Sequence, residues 1–293
     1  MIKLIADGGS TKTDWLLLRD ECEPLRITTQ GINPFMLSEN EITLILTNEL
    51  LTAEGFVQPT EVEYYGAGCR GEGSTLLETV LRKSFPAATH ICVGSDLIGA
   101  ARALFGYNAD GIACILGTGS NSGLYLGGQI VENVSPLGYI LGDEGSGAVL
   151  GRRLVGDVLK RQLPTELCQA FNEAYHLSGD DIIQHVYKQP FGNRFLAQFT
   201  RFLAAHRSHS AIHALLIEEF ERFFRRNVAT YQRPDLPVSF VGSIAYYFSN
   251  ELKEAAQKCG FTVGKIMKAP LQMGTDNLQV AINVDKKRKN IFP

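Results

Sequence analysis

The stretch Ile115-Leu116-Gly117-Thr118-Gly119-Ser120-Asn121 decides the fold, because a looser copy, Ile5-Ala6-Asp7-Gly8-Gly9-Ser10-Thr11, stands near the start of the chain. One constant offset matches Gly9 to Gly119, Ser10 to Ser120 and Trp15 to Tyr125. In both copies apolar residues run into a Gly-Ser corner and an apolar strand leaves it, Trp15-Leu16-Leu17-Leu18 in one and Leu124-Tyr125-Leu126 in the other. Each copy reads as strand, tight glycine turn and return strand. Glycine lets the backbone approach a ligand closely, and hydroxyls and N–H groups at such a corner suit phosphate oxygens. Two lobes closing on one phosphorylated ligand, or two ordinary hairpins, would both give this echo.

Outward from these corners, composition sets bounds. The 293 residues suffice for a large core and make two domains the default. A net charge of -3 gives no electrostatic reason to expect nucleic acid or an anionic membrane as partner. No apolar run reaches membrane-spanning length, and Met1 to Asp7 turns acidic too soon for a signal peptide. The six cysteines are scattered without a C-x-x-C pair, which points to a reduced, cytoplasmic protein and away from zinc ribbons.

In chain order, a further strand ends before Gly31-Ile32-Asn33-Pro34, where the proline holds Asn33 extended in a rigid loop. Ser38 and Glu41 form a capping box for a helix to about Ala53. Gly66-Ala67-Gly68-Cys69-Arg70-Gly71 is a literal G-x-G-x-x-G between a strand and a helix of about 74–84, but Glu72 puts negative charge where a dinucleotide's pyrophosphate would sit. Asp96 follows the strand Ile91–Gly94; it suits a helix cap, and it also stands where α/β folds put chemistry. After Gly138, the adjacent carboxylates Asp143 and Glu144 sit among glycines, and capping of the next helix explains only one of them. Helices fill about 165–233. His206, His209 and His213 read as an exposed helix face, with a metal site as the alternative. A strand at 237–241 ends at Gly242-Ser243, a helix runs on to Cys259, the strand Phe261–Val263 follows, and a helix from about Thr275 closes the chain.

In this order Asp7 through Thr13, Gly31-x-Asn33, Gly66 through Cys69, Ser95-Asp96, Gly117 through Asn121, Gly138 through Gly145 and Gly242-Ser243 resemble the N-acetylglucosamine kinase-like proteins. These group with BadF/BadG-type ATPases in the actin/Hsp70/hexokinase superfamily. The resemblance implies an α/β chain of two ribonuclease-H-like domains with a hinged cleft. The domains would be 1–110, completed by the C-terminal helix at about 275–293, and 111–274 with helical insertions. It implies ATP-dependent phosphorylation of an amino sugar, N-acetylglucosamine to its 6-phosphate in the first instance. Glucosamine or N-acetylmuramic acid kinase and a BadF-type activator of a partner protein are the alternatives. By this resemblance Asp96 is the catalytic base. Gly9, Ser10, Thr11 and Lys12 form one ATP phosphate loop, and Thr118 and Gly119 the other. Gly242 and Ser243 meet the adenosine. Asn33, Asn121, Gly138 and Asp143 bind the sugar, and Asp7 holds Mg²⁺ through water. ATP and Mg²⁺ are the implied ligands, and a homodimer is left open.

Overall fold

The computed structural model describes residues 1–9 and 12–270. Ser10, Thr11 and the closing helix expected from about Thr275 lie outside the described residues. Two compact units are present, Met1–Ala103 and Leu104–Ala269.

The first unit is built on strands β1 (Ile2–Gly8), β2 (Lys12–Arg19), β3 (Leu25–Gln30), β4 (Glu61–Gly66) and β5 (His90–Ser95). The sheet order is β3-β2-β1-β4-β5. The β1–β2 and β2–β3 pairs are antiparallel, and β1–β4 and β4–β5 are parallel. Helices α1 (Glu39–Ile45, running on into a π turn at Leu46–Leu50), α2 (Glu72–Ser84) and α3 (Asp96–Phe105) complete it. The capping box at Ser38 and Glu41 forms as expected. β1 alternates, burying Leu4, Ala6 and Gly8, so one face joins a core with Trp15, Ile42, Tyr64 and Leu77.

The second unit repeats the plan. Strands β6 (Gly111–Leu116), β7 (Ser120–Leu126), β8 (Gln129–Glu132), β9 (Val238–Val241) and β10 (Val263–Met267) are ordered β10-β9-β6-β7-β8. Again two antiparallel pairs, β6–β7 and β7–β8, adjoin two parallel ones, β6–β9 and β9–β10. The echo is therefore a repeat of topology. Its matched aromatics, Trp15 and Tyr125, are both fully buried. β6 is an almost continuous apolar run because it is central and covered on both faces.

The helices here are α4 (Gly138–Leu141), α5 (Gly147–Leu159), α6 (Thr165–Tyr175), α7 (Gly179–Tyr187), α8 (Gly192–Ala197), α9 (Thr200–Ala205), α10 (Ser210–Phe223), α11 (Ser243–Tyr247) and α12 (Ser249–Lys258). α10 continues as a π turn at Phe224–Val228. Their apolar stripes meet in one core around Leu116, Leu150, Phe171, Phe199, Phe220 and Phe240.

Three expectations are corrected. α2 begins at Glu72, two residues early. The helix after Gly242-Ser243 breaks at Phe248, which is buried between two short helices. The last described strand lies at Val263–Met267, because β10 pairs with β9 there and Phe261 instead packs flat on Phe224, with centroids 5.8 Å apart. The G-x-G-x-x-G loop belongs to a sheet with two antiparallel pairs, whereas the dinucleotide fold needs parallel strands throughout its binding half.

Candidate active site

Each unit gathers its own set of polar residues at the ends of its central strands. In the first, Asp7 is the last residue but one of β1, Lys12 opens β2, and Gly9 N–H donates to Lys12 O at 2.9 Å across the corner. Lys12 Nζ is 2.6 Å from Asp14 Oδ2. The β4–α2 loop crosses the same end, with Ala67 N–H donating to Gly8 O at 2.9 Å. Burial, then the charges of Asp14 and Asp96, push the Asp7 carboxyl up to about 6, against the opposing pull of Lys12.

Asp96 is the first residue of α3, directly after β5. It does not cap that helix across the first turn. Ser95 Oγ accepts from Ile98 N–H at 3.4 Å, while Asp96 Oδ1 accepts its neighbour's Leu97 N–H at 2.8 Å. Burial raises the Asp96 carboxyl above the ordinary carboxylate range, and the Leu97 N–H and the Arg70 charge oppose it. A half-buried carboxylate with a raised pKa at a strand's C-terminal end is suited to accept a proton near neutral pH.

Asn33 is held from several sides. Ile32 N–H donates to Thr13 Oγ1 at 3.0 Å, Tyr64 Oη donates to Ile32 O at 2.8 Å, and Asn33 Oδ1 accepts from Phe35 N–H at 3.0 Å. Gly68 seals the loop: a Cβ there would lie 2.0 Å from Asn33 Oδ1, and its φ is +78°. Gly68→Ala is therefore expected to cost about 1–3 kcal/mol of stability, from left-handed strain and displacement of Asn33. Chemical denaturation checks this, and an unchanged midpoint would refute the packing argument.

In the second unit the Gly117–Gly119 corner is locked by the first turn of α5. Gly147 N–H donates to Gly117 O at 2.8 Å and Ala148 N–H to Thr118 O at 3.1 Å. Gly242 packs directly on the corner: a Cβ there would meet Leu116 O at 2.1 Å, and its φ is +130°. This brings the exposed hydroxyl residues Thr118 and Ser243 to the same end of the neighbouring central strands β6 and β9. Gly138 opens the short α4, and the loop closes where Asp143 N–H donates to Pro136 O at 2.8 Å. The Asp143 carboxylate faces the same corner, with Oδ2 3.0 Å from where a Gly119 Cβ would be. Burial raises its carboxyl to about 6, opposed by the Ser120 N–H and reinforced by Glu144.

Asn121 lies beside Ser120 on β7. Its Oδ1 accepts from Ser122 N–H at 2.9 Å and from Asn133 Nδ2 at 3.0 Å. The amide is thereby oriented with its Nδ2 hydrogens to offer outward. Asn133 also donates to Ser122 O at 2.6 Å. Sequence reading missed Asn133, and Arg70 beside Asp96. Arg70 stands inside the glycine loop after β4, so a charge at that point was a usable signal; Asn133 gave none.

Ser146 caps α5, its Oγ accepting from Val149 N–H at 3.2 Å, so neither Asp143 nor Glu144 does. His209 caps α10, His206 stacks on Phe202, and His213 pairs with Glu254 at 3.0 Å. Among the described residues no three metal-ligating side chains cluster, and no helix is long and apolar enough to cross a membrane. Gly9 and Lys12 are thus the described part of the first expected phosphate loop, since Ser10 and Thr11 lie outside the described residues.

No protein-family model matches the chain, and no curated protein matches it significantly. Among solved structures, a candidate N-acetylglucosamine kinase from Porphyromonas gingivalis is 46% identical, covering 98% of this chain and 100% of that one with a TM-score of 0.89. A second candidate N-acetylglucosamine kinase, from Chromobacterium violaceum, is 18% identical over 89% of this chain and 94% of its own, with a TM-score of 0.70. A ROK hexokinase from Thermus thermophilus is 15% identical over 94% and 95%, with a TM-score of 0.52. The last two share the fold.

Proposed function

The chain belongs to the N-acetylglucosamine kinase-like family of actin-like ATPases, and on that premise we propose that it uses ATP to phosphorylate an amino sugar, N-acetylglucosamine at its 6-hydroxyl. The observation that carries the reaction type is Asp96, a half-buried carboxylate with a raised pKa at the end of β5. The name of the Porphyromonas gingivalis relative supports the sugar.

In this reading Asp96 takes the proton of the attacking hydroxyl, since phosphoryl transfer needs positioning and charge stabilisation more than covalent work. Asn33, Gly138, Asn121 and Asp143 hold the sugar. The Asn121 amide donates to a sugar oxygen, and the Asp143 carboxylate accepts from a sugar hydroxyl. Gly9, Ser10, Thr11 and Lys12, with Thr118 and Gly119, take the phosphates, and Gly242 and Ser243 the adenosine. Magnesium keeps several waters and needs only one or two carboxylates beside substrate phosphates, so Asp7 fits as its water-mediated anchor without a protein-only cage. When bound, Mg²⁺ would neutralise charge on the transferring phosphoryl group. The six free cysteines support a reducing, cytoplasmic setting.

A panel of N-acetylglucosamine, glucosamine, N-acetylmuramic acid and glucose with ATP and Mg²⁺ tests the proposal through sugar-stimulated ADP release. NMR of the product fixes the hydroxyl. ADP release indifferent to every sugar would favour the activator reading instead. Asn121→Ala is expected to raise the sugar KM about five- to tenfold, the worth of one hydrogen bond, while the ATP KM stays within about twofold. Equal rises in both constants would contradict the assignment of Asn121 to the sugar.

A further inference from the structure

Asp143 and Glu144 are adjacent, both are buried, and neither caps α5. The second carboxylate needs its own account. Burying a carboxylate costs several kcal/mol unless it is paired and hydrogen-bonded. Glu144 is both: Oε1 accepts from Arg226 Nε, and Oε2 accepts from Asn227 Nδ2 at 3.3 Å. Arg226 and Asn227 lie on the π turn Phe224–Val228, where the last turn of the α10 rod widens. Asn227 Nδ2 also donates to Phe223 O at 3.3 Å, tying the clasp to that turn. π turns inside helices recur at functional sites. Here the turn sets consecutive residues, one cationic and one amide, on the two oxygens of a single carboxylate.

Glu144 is joined by one peptide bond to Asp143, whose φ of +53° is left-handed and strained for a residue with a Cβ. Asp143 N–H is pinned to Pro136 O on one side, and the Glu144 clasp fixes the other. We propose that Arg226 is a positioning residue for substrate binding: by clamping and neutralising Glu144 it holds Asp143 in its left-handed conformation and lets it face the sugar as an anion. This rests on the reading of Asp143 as a sugar ligand.

The groups facing the pair come from three directions. Arg226 and Asn227 come from the π turn, and the Ser120 N–H from β7. From α5, Arg152 reaches the carbonyl oxygens of Tyr139 and Ile140 in α4, the stretch that leads to Asp143. Of these, Arg226 carries the charge that offsets Glu144. Without it Glu144 acts on Asp143 as an unpaired like charge, and proton uptake by Asp143 moves to higher pH.

The test uses Arg226→Gln, Arg226→Lys and the double variant Glu144→Gln/Arg226→Gln. Carboxyl-carbon NMR titration of the sugar-free proteins gives the Asp143 midpoint, and calorimetry with N-acetylglucosamine gives affinity from pH 5.5 to 8.5. Arg226→Gln is expected to raise the midpoint by about one pH unit, so that affinity falls about threefold at pH 6.5 and is little changed at pH 8.5. Arg226→Lys should keep the midpoint near the wild-type one, and the double variant should restore it. A strut that only props the fold would not be rescued by deleting Glu144's charge. An unmoved midpoint in Arg226→Gln, or a double variant as impaired as the single one, overturns the proposal. A wild-type protein that binds no N-acetylglucosamine, yet whose midpoint moves in Arg226→Gln, overturns the sugar reading and upholds the clasp.

Discussion

Asp96→Asn lowers kcat by about 10²- to 10⁴-fold, the range for loss of a general base. The sugar dissociation constant moves by less than about threefold, because the substitution deletes the proton acceptor and little else. The asparagine Oδ1 can still accept the Leu97 N–H, and Ser95 still bonds Ile98 N–H at the start of α3. Quenched-flow measurement of sugar phosphorylation, with calorimetry of sugar binding, checks both halves. The wild-type kcat should fall as pH falls through the raised Asp96 pKa, and the variant should lose that limb. A fully active Asp96→Asn would remove the proposed base.

Asp143→Asn weakens sugar binding about 10- to 100-fold, the loss of a charge-assisted hydrogen bond, and makes the protein more stable at alkaline pH. The sign follows from the carboxyl being pushed up to about 6 from 3.8. The folded protein holds this proton more tightly than the unfolded chain does. That contribution is fully present below about pH 4 and is lost as pH rises through about 6, after which the ionised group is a net cost. The amide removes the cost, so the variant gains about 1–3 kcal/mol at pH 8 and nothing at pH 4. Denaturant titrations at the two pH values decide it. A variant less stable than wild type at pH 8 would show that the ionised Asp143 is compensated in the fold.

Much of this was legible from the corners. Strand, glycine turn and return strand are local events, written in short-range apolar periodicity, so β1–β2 and β6–β7 could be read directly. The capping box at Ser38 and Glu41 was legible for the same reason. What failed depended on partners far along the chain. β10 took its register from β9 rather than from its own apolar residues. Ser95 and Ser146 bond the helix N–H groups that Asp96 and Asp143 also suited, because capping geometry depends on backbone angles that composition does not reveal. Asn133 and Arg226 act through residues on other elements, and their local sequence is that of an ordinary exposed loop and helix.

The repeated sheet plan has a kinetic consequence. In each unit the meander forms from neighbouring strands, but the central parallel pair must wait for the chain to return. In the first unit that excursion runs from Gly8 to Glu61; in the second it runs from Leu116 to Val238 and holds the helices from α4 to α10. Loop-closure entropy grows with the length of the excursion, and distant pairings slow folding. Two units of one topology are therefore out of step in time. The half that carries Asp96 can complete its sheet while the half that carries Asp143 is still gathering its helices.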